Sequence, residues 1–109
     1  NYAPFGISGL ETAVPLVWSE LIEKKVISLE KLIACLTVNP ARILGLAKGS
    51  LGIGEEADLT IIDPDLEQAV RVDGFISQGK NSPFDGWQLK GWPVATIVKG
   101  RVVMKNGQV

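Results

Sequence analysis

The chain has 109 residues, of which 46% are hydrophobic and 21% are charged. This composition is that of an ordinary folded domain and argues against a disordered or fibrous chain. The 11 basic and 12 acidic residues give a formal net charge of −1, so we expect no nucleic-acid partner and no membrane partner. With no histidine and one cysteine, the chain cannot build a zinc site or a Ser-His-Asp triad by itself.

The single cysteine, Cys35, lies in an apolar helical run, which predicts a buried small side chain rather than a reactive thiol. No apolar run approaches membrane-spanning length and no signal-peptide pattern is present, so we expect a cytoplasmic location. The sequence starts at Asn1 and stops soon after the turn signal Asn106-Gly107. These two ends favour a piece of a longer protein.

The first predicted element is a helix. Apolar residues recur at the spacing of one helix face, at Leu10, Ala13, Val14, Val17, Trp18, Leu21 and Ile22. Ser8 and Glu11 fit a capping box at its start. Pro15 removes one interior donor, so the helix either kinks there or begins near Thr12. We expect it to end around residues 24–25, where two lysines suit the helix dipole.

Two further helices are predicted before residue 48. Ser28 is the expected cap of the second helix. Its apolar stripe is Leu29, Leu32, Ile33 and Leu36. Asn39 is expected to end that helix and to cap a short third helix over residues 40–44, because a proline follows it. Gly45 is expected to terminate the third helix.

The second half has the composition of strands. Residues 57–62 and 93–98 are short runs rich in β-branched side chains, which predicts buried strands. Residues 101–104 are expected to pair with the second of these, and residues 67–72 form a weaker, more polar strand. The Gly-rich stretch at residues 73–92 is predicted to be a long loop, of the kind that is usually functional or packed against something.

Helices followed by about four strands indicate an α/β fragment, either one α+β domain or the junction of two different domains. We favour the junction, because the helical part has too little of its own to bury its apolar stripes. Four strands without a partner layer would also leave open edges. We therefore expect the isolated chain to associate with itself or with an upstream part of the same protein.

Three motifs have a simple structural interpretation. Residues 52–57, GIGEEA, match a relaxed dinucleotide fingerprint, but a loop precedes them and a strand follows, which favours a plain turn. An acidic stretch is predicted to be a solvated edge rather than a calcium loop. Its members are Glu55, Glu56, Asp58, Asp63, Asp65 and Glu67. Trp87 and Trp92 flank Lys90, and packing is favoured over a stacking surface for a ligand.

Residues 4–9, PFGISG, place a proline and two glycines just before a predicted helix N-terminus. Such a turn can bring backbone groups close to a ligand, and the helix dipole favours an anionic group nearby. A simple loop-to-helix connection is the alternative on these grounds alone.

Several runs resemble bacterial-type dihydroorotases of the amidohydrolase superfamily, in order and over essentially the whole chain. They are residues 3–16 (APFGISGLETAVPL), 39–46 (NPARILGL), 49–64 (GSLGIGEEADLTIIDP), 80–87 (KNSPFDGW) and 91–98 (GWPVATIV). The resemblance implies that residues 1–47 are the C-terminal end of a metal-dependent (β/α)₈ hydrolase barrel. Residues 48–109 would then be the C-terminal strands of a small composite β-sandwich domain.

The resemblance also implies an activity and its parts. Dihydroorotases interconvert dihydroorotate and N-carbamoyl-aspartate in pyrimidine synthesis, with zinc as cofactor and an Asp that shuttles the proton. The metal ligands and that Asp would lie upstream, so this chain carries no catalytic or metal-binding residue of the family. Only the substrate contacts carry over, onto Phe5 and Gly6. Implied partners are the small-molecule substrate, the upstream part of the protein, a homo-oligomer and aspartate carbamoyltransferase.

Three alternatives remain open at this point. The first is a related allantoinase or hydantoinase, against which Phe5 and residues 80–87 argue. The second is a non-catalytic dihydroorotase-like structural partner of a pyrimidine-pathway enzyme, which would lack the metal ligands. The third is a stand-alone interaction domain, which the incomplete β layer disfavours.

Overall fold

The computed structural model describes residues 5–109. Residues 1–4 therefore lie outside the described part. They include the start of the predicted 1–47 segment, the first two residues of the 3–16 motif and the first residue of the 4–9 motif. The molecule is elongated, with principal extents of 51 × 32 × 29 Å and a radius of gyration of 15.2 Å. A compact domain of about 100 residues has a radius of gyration near ~13 Å. The chain is thus less compact than a typical domain of its length.

The first helical segment changes its winding twice. A 3₁₀ turn at Leu10–Thr12 leads into α1 at Ala13–Val17, and a π-helical segment follows at Trp18–Glu23. Pro15 thus lies in the first turn of α1, as one of the two sequence alternatives required. The predicted end is confirmed, since Lys24 follows the last helical residue and Lys25 has a φ of 54°.

The predicted capping box is wrong. Gly9 precedes the 3₁₀ turn, and within residues 5–109 no side chain caps its start. The Glu11 carboxylate accepts hydrogen bonds from backbone amides 65 and 66 residues away instead of reaching back to its own helix. The Glu11 carboxylate therefore makes a long-range contact in place of the local capping box, and the spacing of Ser8 and Glu11 in the sequence does not reveal this contact.

Two short helices follow. The second, α2 at Leu29–Leu36, is capped as predicted by Ser28, whose hydroxyl accepts the Lys31 N–H at 3.3 Å. The third, α3, covers Val38–Ile43 and so begins before the expected residue 40, with Asn39 inside it rather than capping it. Gly45 terminates the third helix, as predicted, with a φ of 67°.

The expectation that Cys35 is buried is wrong, because its side chain is exposed. The apolar stripe of α2 is also largely uncovered, and only Leu32 is buried. Helix α2 contacts α3, and the described part of the chain supplies no other layer that covers the rest of its surface. A helical pattern marks which face is apolar, but burial of that face depends on a neighbouring element.

The sheet has three antiparallel strands in the order β1-β2-β3, rather than four. Their bounds are Leu59–Ala69, Gln88–Val98 and Arg101–Lys105. The two short strands predicted at residues 57–62 and 67–72 merge into β1, which bulges between Asp63 and Glu67. The Asp63 carboxylate accepts the N–H groups of Asp65 and Leu66 at 3.0 and 3.1 Å and so holds the bulge.

The turn signals at the C-terminal end are confirmed. Lys99 and Gly100, between β2 and β3, have φ values of 49° and 76°. Asn106 and Gly107 have φ values of 50° and 77°, and Lys105 bridges Gln108 across them. Two successive positive φ values are the backbone signature of the tight turn that matches strand twist. Strands β1 and β3 form the edges of the sheet, and self-association through them stays a prediction.

The core lies where the first helical segment packs on β2. Val70, Val72 and Leu89 are buried together. Partly buried side chains surround them, namely Leu16, Phe75, Phe84 and Trp92. Trp18 lies directly over Gly91, where a Cβ atom would come within 2.1 Å of the indole ring. Glycine at this position therefore determines how closely the helical segment approaches the sheet.

We expect the Gly91→Ala substitution to lower the free energy of unfolding by about 3 kcal/mol, because strain at its φ of 75° adds to overpacking against Trp18. Gly107→Ala is the matched control, since its φ is 77° but nothing lies within 4 Å of the added atom. The control should cost only about 1 kcal/mol. Denaturant titration of both variants measures the difference, and equal losses would contradict this packing.

Candidate functional site

The N-terminal loop (residues 5–9) contains the two residues predicted to contact substrate. Phe5 is fully exposed, and Gly6 has a φ of 83° with open space around its Cα. This conformation favours glycine, and it leaves room for a ligand beside the backbone. The segment that follows begins as a 3₁₀ turn of three residues. It therefore offers a much weaker dipole than the helix that the sequence predicted at this point.

A second loop holds the N-terminal loop in place. The middle loop (residues 75–87) reaches it through Asn81, whose side-chain Nδ2 donates to the Gly6 carbonyl at 2.6 Å. The Asn81 carbonyl accepts the Ser8 N–H at 2.7 Å. Gly79 also lies close, since a Cβ there would come within 2.6 Å of the Ser8 hydroxyl. The structure thus brings together two motifs that are more than 70 residues apart.

Glu11 makes the second connection between these loops. Its Oε2 accepts the Ile76 N–H and its Oε1 accepts the Ser77 N–H, both at 3.0 Å. Burial alone would raise the pKa of the Glu11 carboxyl, but hydrogen bonds from Ser77 and Ile76 and the nearby Lys80 charge outweigh it, and the pKa is lowered. The Lys80 ammonium group also donates to the Phe75 carbonyl at 2.5 Å. The carboxylate is therefore held in its charged form by the middle loop.

The far end of the middle loop is anchored in the core. The Val72 N–H donates to the Asp85 carboxylate at 3.0 Å, and Val70 exchanges backbone hydrogen bonds with Gly86 and Trp87. The Trp87 ring meets Phe84 edge to face, with centroids 5.3 Å apart. The middle loop thus starts and ends on rigid backbone, which makes it a firm support for the N-terminal loop.

Trp92 packs against the core, as predicted, whereas Trp87 contacts Phe84 edge to face but stays 46% exposed. The Trp92 indole donates to the Leu89 carbonyl at 2.7 Å and its ring lies against the core. Lys90 points toward the helical segment, where its ammonium group is 3.6 Å from the Glu23 carboxylate. The lysine therefore does not complete a stacking surface with the tryptophan rings.

The sequence alone marks neither Glu11 nor Asn81 as a site residue. Glu11 fits a capping box, and Asn81 lies within the run 80–87. The only signal for either residue is that it lies in a motif that resembles the same family. Nothing in either motif alone states that the two lie against each other.

A groove of about 520 Å³ opens beside the N-terminal and middle loops, between the sheet and the start of the helical segment. Glu11 and Ile76 contribute to its wall, and Phe5 and Gly6 do not. Most of its lining is apolar, including Leu10, Val14, Phe75, Trp92, Pro93 and Met104. The groove is thus separate from the predicted substrate contacts.

The acidic stretch is partly neutralised by one lysine. The Lys48 ammonium group pairs with Glu56 and, at 2.6 Å, with Asp58. The second Asp58 oxygen accepts the Lys99 N–H at 2.8 Å. The Lys48 hydrogen bond, then that from Lys99, lowers the pKa of Asp58, and the two carboxylates raise the pKa of Lys48. Asp58 therefore ties the loop before β1 to the turn between β2 and β3.

The Gly-rich motif at residues 52–57 forms a turn, and no metal site is evident within residues 5–109. Glu55 donates its N–H to the Gly52 carbonyl at 3.1 Å, which makes residues 52–55 a turn, as expected. Within residues 5–109, no group of three or more His, Cys, Asp or Glu side chains is arranged to hold a metal ion. In the same range, no helix is long and apolar enough to cross a membrane.

The chain matches one protein family over most of its length. Residues 5–103 fit the model of the Amidohydrolase family, and the chain belongs to that family. It is 52% identical over 108 residues to a dihydroorotase of Geobacillus sp. (strain WCH70). It is 55% identical over 106 residues to a dihydroorotase of Pelotomaculum thermopropionicum. The resemblance to dihydroorotases predicted from the sequence is confirmed.

The chain spans about a quarter of the length of these curated relatives. The two matches cover 99% and 97% of this chain, but 25% of each relative. Solved structures give the same proportion. An L-hydantoinase (dihydropyrimidinase) from Arthrobacter aurescens matches with a TM-score of 0.92 and 40% identity, over 98% of this chain and 24% of that one. A D-hydantoinase from Thermus sp. matches with a TM-score of 0.88 and 25% identity, over 96% and 23% of the two chains.

The hydrogen bonds of Glu11 and Asn81 together form a clamp that holds residues 6–11 against the middle loop. The lowered pKa of Glu11 makes the stability of this clamp depend on pH. Because the folded-state pKa lies below the ordinary value of 4.5, the contribution to stability is full above that value and is lost as the pH falls through the folded-state pKa. We expect Glu11→Gln to destabilise the protein by about 1 kcal/mol at pH 7, since a carboxylate oxygen that accepts an amide is replaced by a donor. The deficit should shrink as the pH is lowered below 4.5.

Denaturant titrations of the wild type and the variant between pH 3 and pH 7 (~0.5 pH steps) measure this deficit. Glu55→Gln, in an exposed turn, is the matched control for the change of charge. A deficit that is the same at both ends of the pH range would mean that the Glu11 charge does not hold the middle loop.

Proposed function

We propose that the complete protein containing this chain is a dihydroorotase, which reversibly hydrolyses the cyclic amide of dihydroorotate to N-carbamoyl-aspartate in pyrimidine synthesis. The observation that carries this proposal is the set of relatives named dihydroorotase, 45–55% identical over nearly the whole chain. The contact between residues 5–9 and the 80–87 motif supports it, because both runs resemble that family.

We further propose that the chain is the C-terminal part of this enzyme. Residues 1–47 would complete a (β/α)₈ barrel and residues 48–109 would belong to the small composite β domain. Exposed apolar side chains on the helices support a missing layer. Leu29, Ile33 and Leu36 of α2 are 41–51% exposed, and Ile43 of α3 is 84% exposed. Apolar surface of this kind is normally covered by another part of the protein.

The apolar groove beside the sheet supports the same conclusion. Its wall includes core-type side chains such as Trp92 and Met104, which a finished domain would cover. The upstream part of the same protein is the partner we propose for these surfaces. A homo-oligomer and association with aspartate carbamoyltransferase remain proposals that rest on the family resemblance.

In this proposal the complete enzyme uses zinc, which polarises the ring amide and activates water when bound. The residues of this chain do not fit a zinc site, because the sequence has no histidine and residues 5–109 hold no suitable ligand cluster. We therefore assign the metal ligands and the proton-transferring Asp to the upstream part. In this proposal the residues of this chain contact the substrate and take no part in the chemical step.

The contribution proposed for this chain is substrate binding at Phe5 and Gly6. The open backbone at Gly6 allows a small ligand to approach closely, and the exposed Phe5 ring offers an apolar face. The loop would lie at the C-terminal face of the barrel, where the active sites of such barrels are found. The hydrogen bonds of Asn81 in the middle loop, which hold residues 6–8, are consistent with this position.

A hydantoinase is the second candidate, because the structural neighbours with TM-scores of 0.92 and 0.88 are named hydantoinases. The higher identities to proteins named dihydroorotase favour the first candidate. A non-catalytic dihydroorotase-like partner is the third, and the ligand positions that distinguish it lie outside this chain.

Steady-state kinetics of the zinc-loaded complete protein test this proposal. We expect the kcat/KM for dihydroorotate to exceed that for hydantoin and for allantoin by at least about 100-fold, as expected of a site that reads its substrate by hydrogen bonds. We expect the 109-residue chain alone to be inactive, since it carries no metal ligand cluster within residues 5–109. Preference for hydantoin would favour the second candidate, and a folded, inactive complete protein the third. Turnover by the chain alone would contradict the assignment of the catalytic groups.

A further inference from the structure

We propose that Asn81 and Glu11 are positioning residues for the substrate loop, and that they fix the Phe5–Gly6 backbone for ligand binding without touching the ligand. This inference rests on the proposed function, since it concerns the same substrate. In this inference the middle loop has the role of holding the N-terminal loop in a fixed conformation.

Asn81 fixes the N-terminal loop through two groups that point to different residues. Its side-chain amide donates to the Gly6 carbonyl at 2.6 Å, and its own carbonyl accepts the Ser8 N–H at 2.7 Å. These bonds lie on either side of Ile7 and so define the path of the backbone between them. With its carbonyl engaged, Gly6 has its peptide orientation determined by Asn81.

The same two bonds leave the ligand-facing groups of the loop available. Within residues 5–109, no hydrogen-bond acceptor takes up the N–H of Gly6 or of Ile7. The space beside the Gly6 Cα is open, and the Phe5 side chain is fully exposed. Among residues 5–109, the loop is therefore held through the Gly6 carbonyl and the Ser8 N–H, while its Gly6 and Ile7 N–H groups remain for a ligand.

Glu11 fixes the middle loop relative to the start of the helical segment. Each of its two carboxylate oxygens accepts one N–H from consecutive residues, Ile76 and Ser77. A carboxylate that accepts two backbone amides restrains both the distance and the orientation of the segment that donates them. The Lys80 charge lies near the same carboxylate and holds the Phe75 carbonyl. Asn81 is thus presented to Gly6 from a restrained segment.

The contacts of Asn81 lie outside the hydrophobic core. Asn81 is exposed, and the buried cluster of Val70, Val72 and Leu89 is held by other contacts. Loss of the Asn81 amide should therefore leave the fold intact while the N-terminal loop loses its fixed geometry. A loop that is already fixed loses less conformational freedom when a ligand binds, so loss of this geometry should weaken binding.

The test is Asn81→Asp in the complete, zinc-loaded protein. Aspartate keeps the shape of the side chain but replaces the donor with a charged acceptor that faces the Gly6 carbonyl. We expect the KM for dihydroorotate to rise about fivefold to tenfold and kcat to change less than about twofold. The Tm should stay within about 1 °C of the wild type. Asn106→Asp in the C-terminal turn is the matched control and should change neither KM nor kcat.

Hydrogen–deuterium exchange gives a second readout that does not depend on activity. Exchange at Ser8 should become at least about tenfold faster in Asn81→Asp, because the bond from its N–H to residue 81 loses its fixed position. Glu11→Gln is the second variant, and we expect it to speed exchange at Ile76 and Ser77 and to raise KM in the same direction. It keeps the proposal testable if the first variant fails to fold.

The outcomes separate this inference from the proposed function. Faster exchange together with a raised KM supports the positioning role. An active wild type whose KM is unchanged in both variants would overturn the positioning role alone. Unchanged exchange at Ser8 in Asn81→Asp, or at Ile76 and Ser77 in Glu11→Gln, would overturn the clamp itself. A complete protein that does not hydrolyse dihydroorotate would overturn the proposed function and, with it, the role for this substrate.

Discussion

The architecture of the candidate site depends on four hydrogen bonds between residues 6–11 and the middle loop. Glu11 accepts two backbone amides of the middle loop, and Asn81 makes two bonds to the N-terminal loop. These contacts join residues that are 65 to 75 positions apart. A loop that holds an exposed aromatic ring and an open glycine backbone would sample many conformations without them. The clamp is what makes residues 5–9 a defined surface.

The clamp is rigid because the C-terminal end of the middle loop is anchored in the core. That end is hydrogen-bonded to Val70 and Val72 of the buried cluster, and Phe84 packs beside them. The same cluster receives the helical segment through Leu16, and Trp18 sets its distance from β2 at Gly91. The rigid helix–sheet contact therefore determines where Glu11 stands. The position of the N-terminal loop thus depends on the core, through Glu11 and the middle loop.

The sequence predicted the elements that depend on local chemistry. Ser28 caps α2, and Asn106 and Gly107 form the expected turn, because these preferences are decided within a few residues. Predictions that depend on neighbours failed. Glu11 accepts distant backbone amides instead of capping its own helix. Cys35 is exposed because no residue within 5–109 covers its helix face. The two predicted strands form one strand with a bulge, which the Asp63 carboxylate stabilises. The Phe5–Gly6 prediction came from resemblance, whereas its support by Asn81 required three-dimensional coordinates.

The assignment to the amidohydrolase family accounts for the features that a self-contained domain would not show. Within residues 5–109, the helices have uncovered apolar faces, two sheet edges have no partner strand and an apolar groove is open. The chain spans about a quarter of the length of its relatives. The most direct test is a crystal structure of the complete protein with N-carbamoyl-aspartate bound. We expect the ligand to contact the Phe5–Gly6 backbone while Asn81 Nδ2 stays within 3.5 Å (~hydrogen-bond range) of the Gly6 carbonyl. A ligand bound away from residues 5–6, or an Asn81 side chain turned away from Gly6, would contradict the proposed role of this loop.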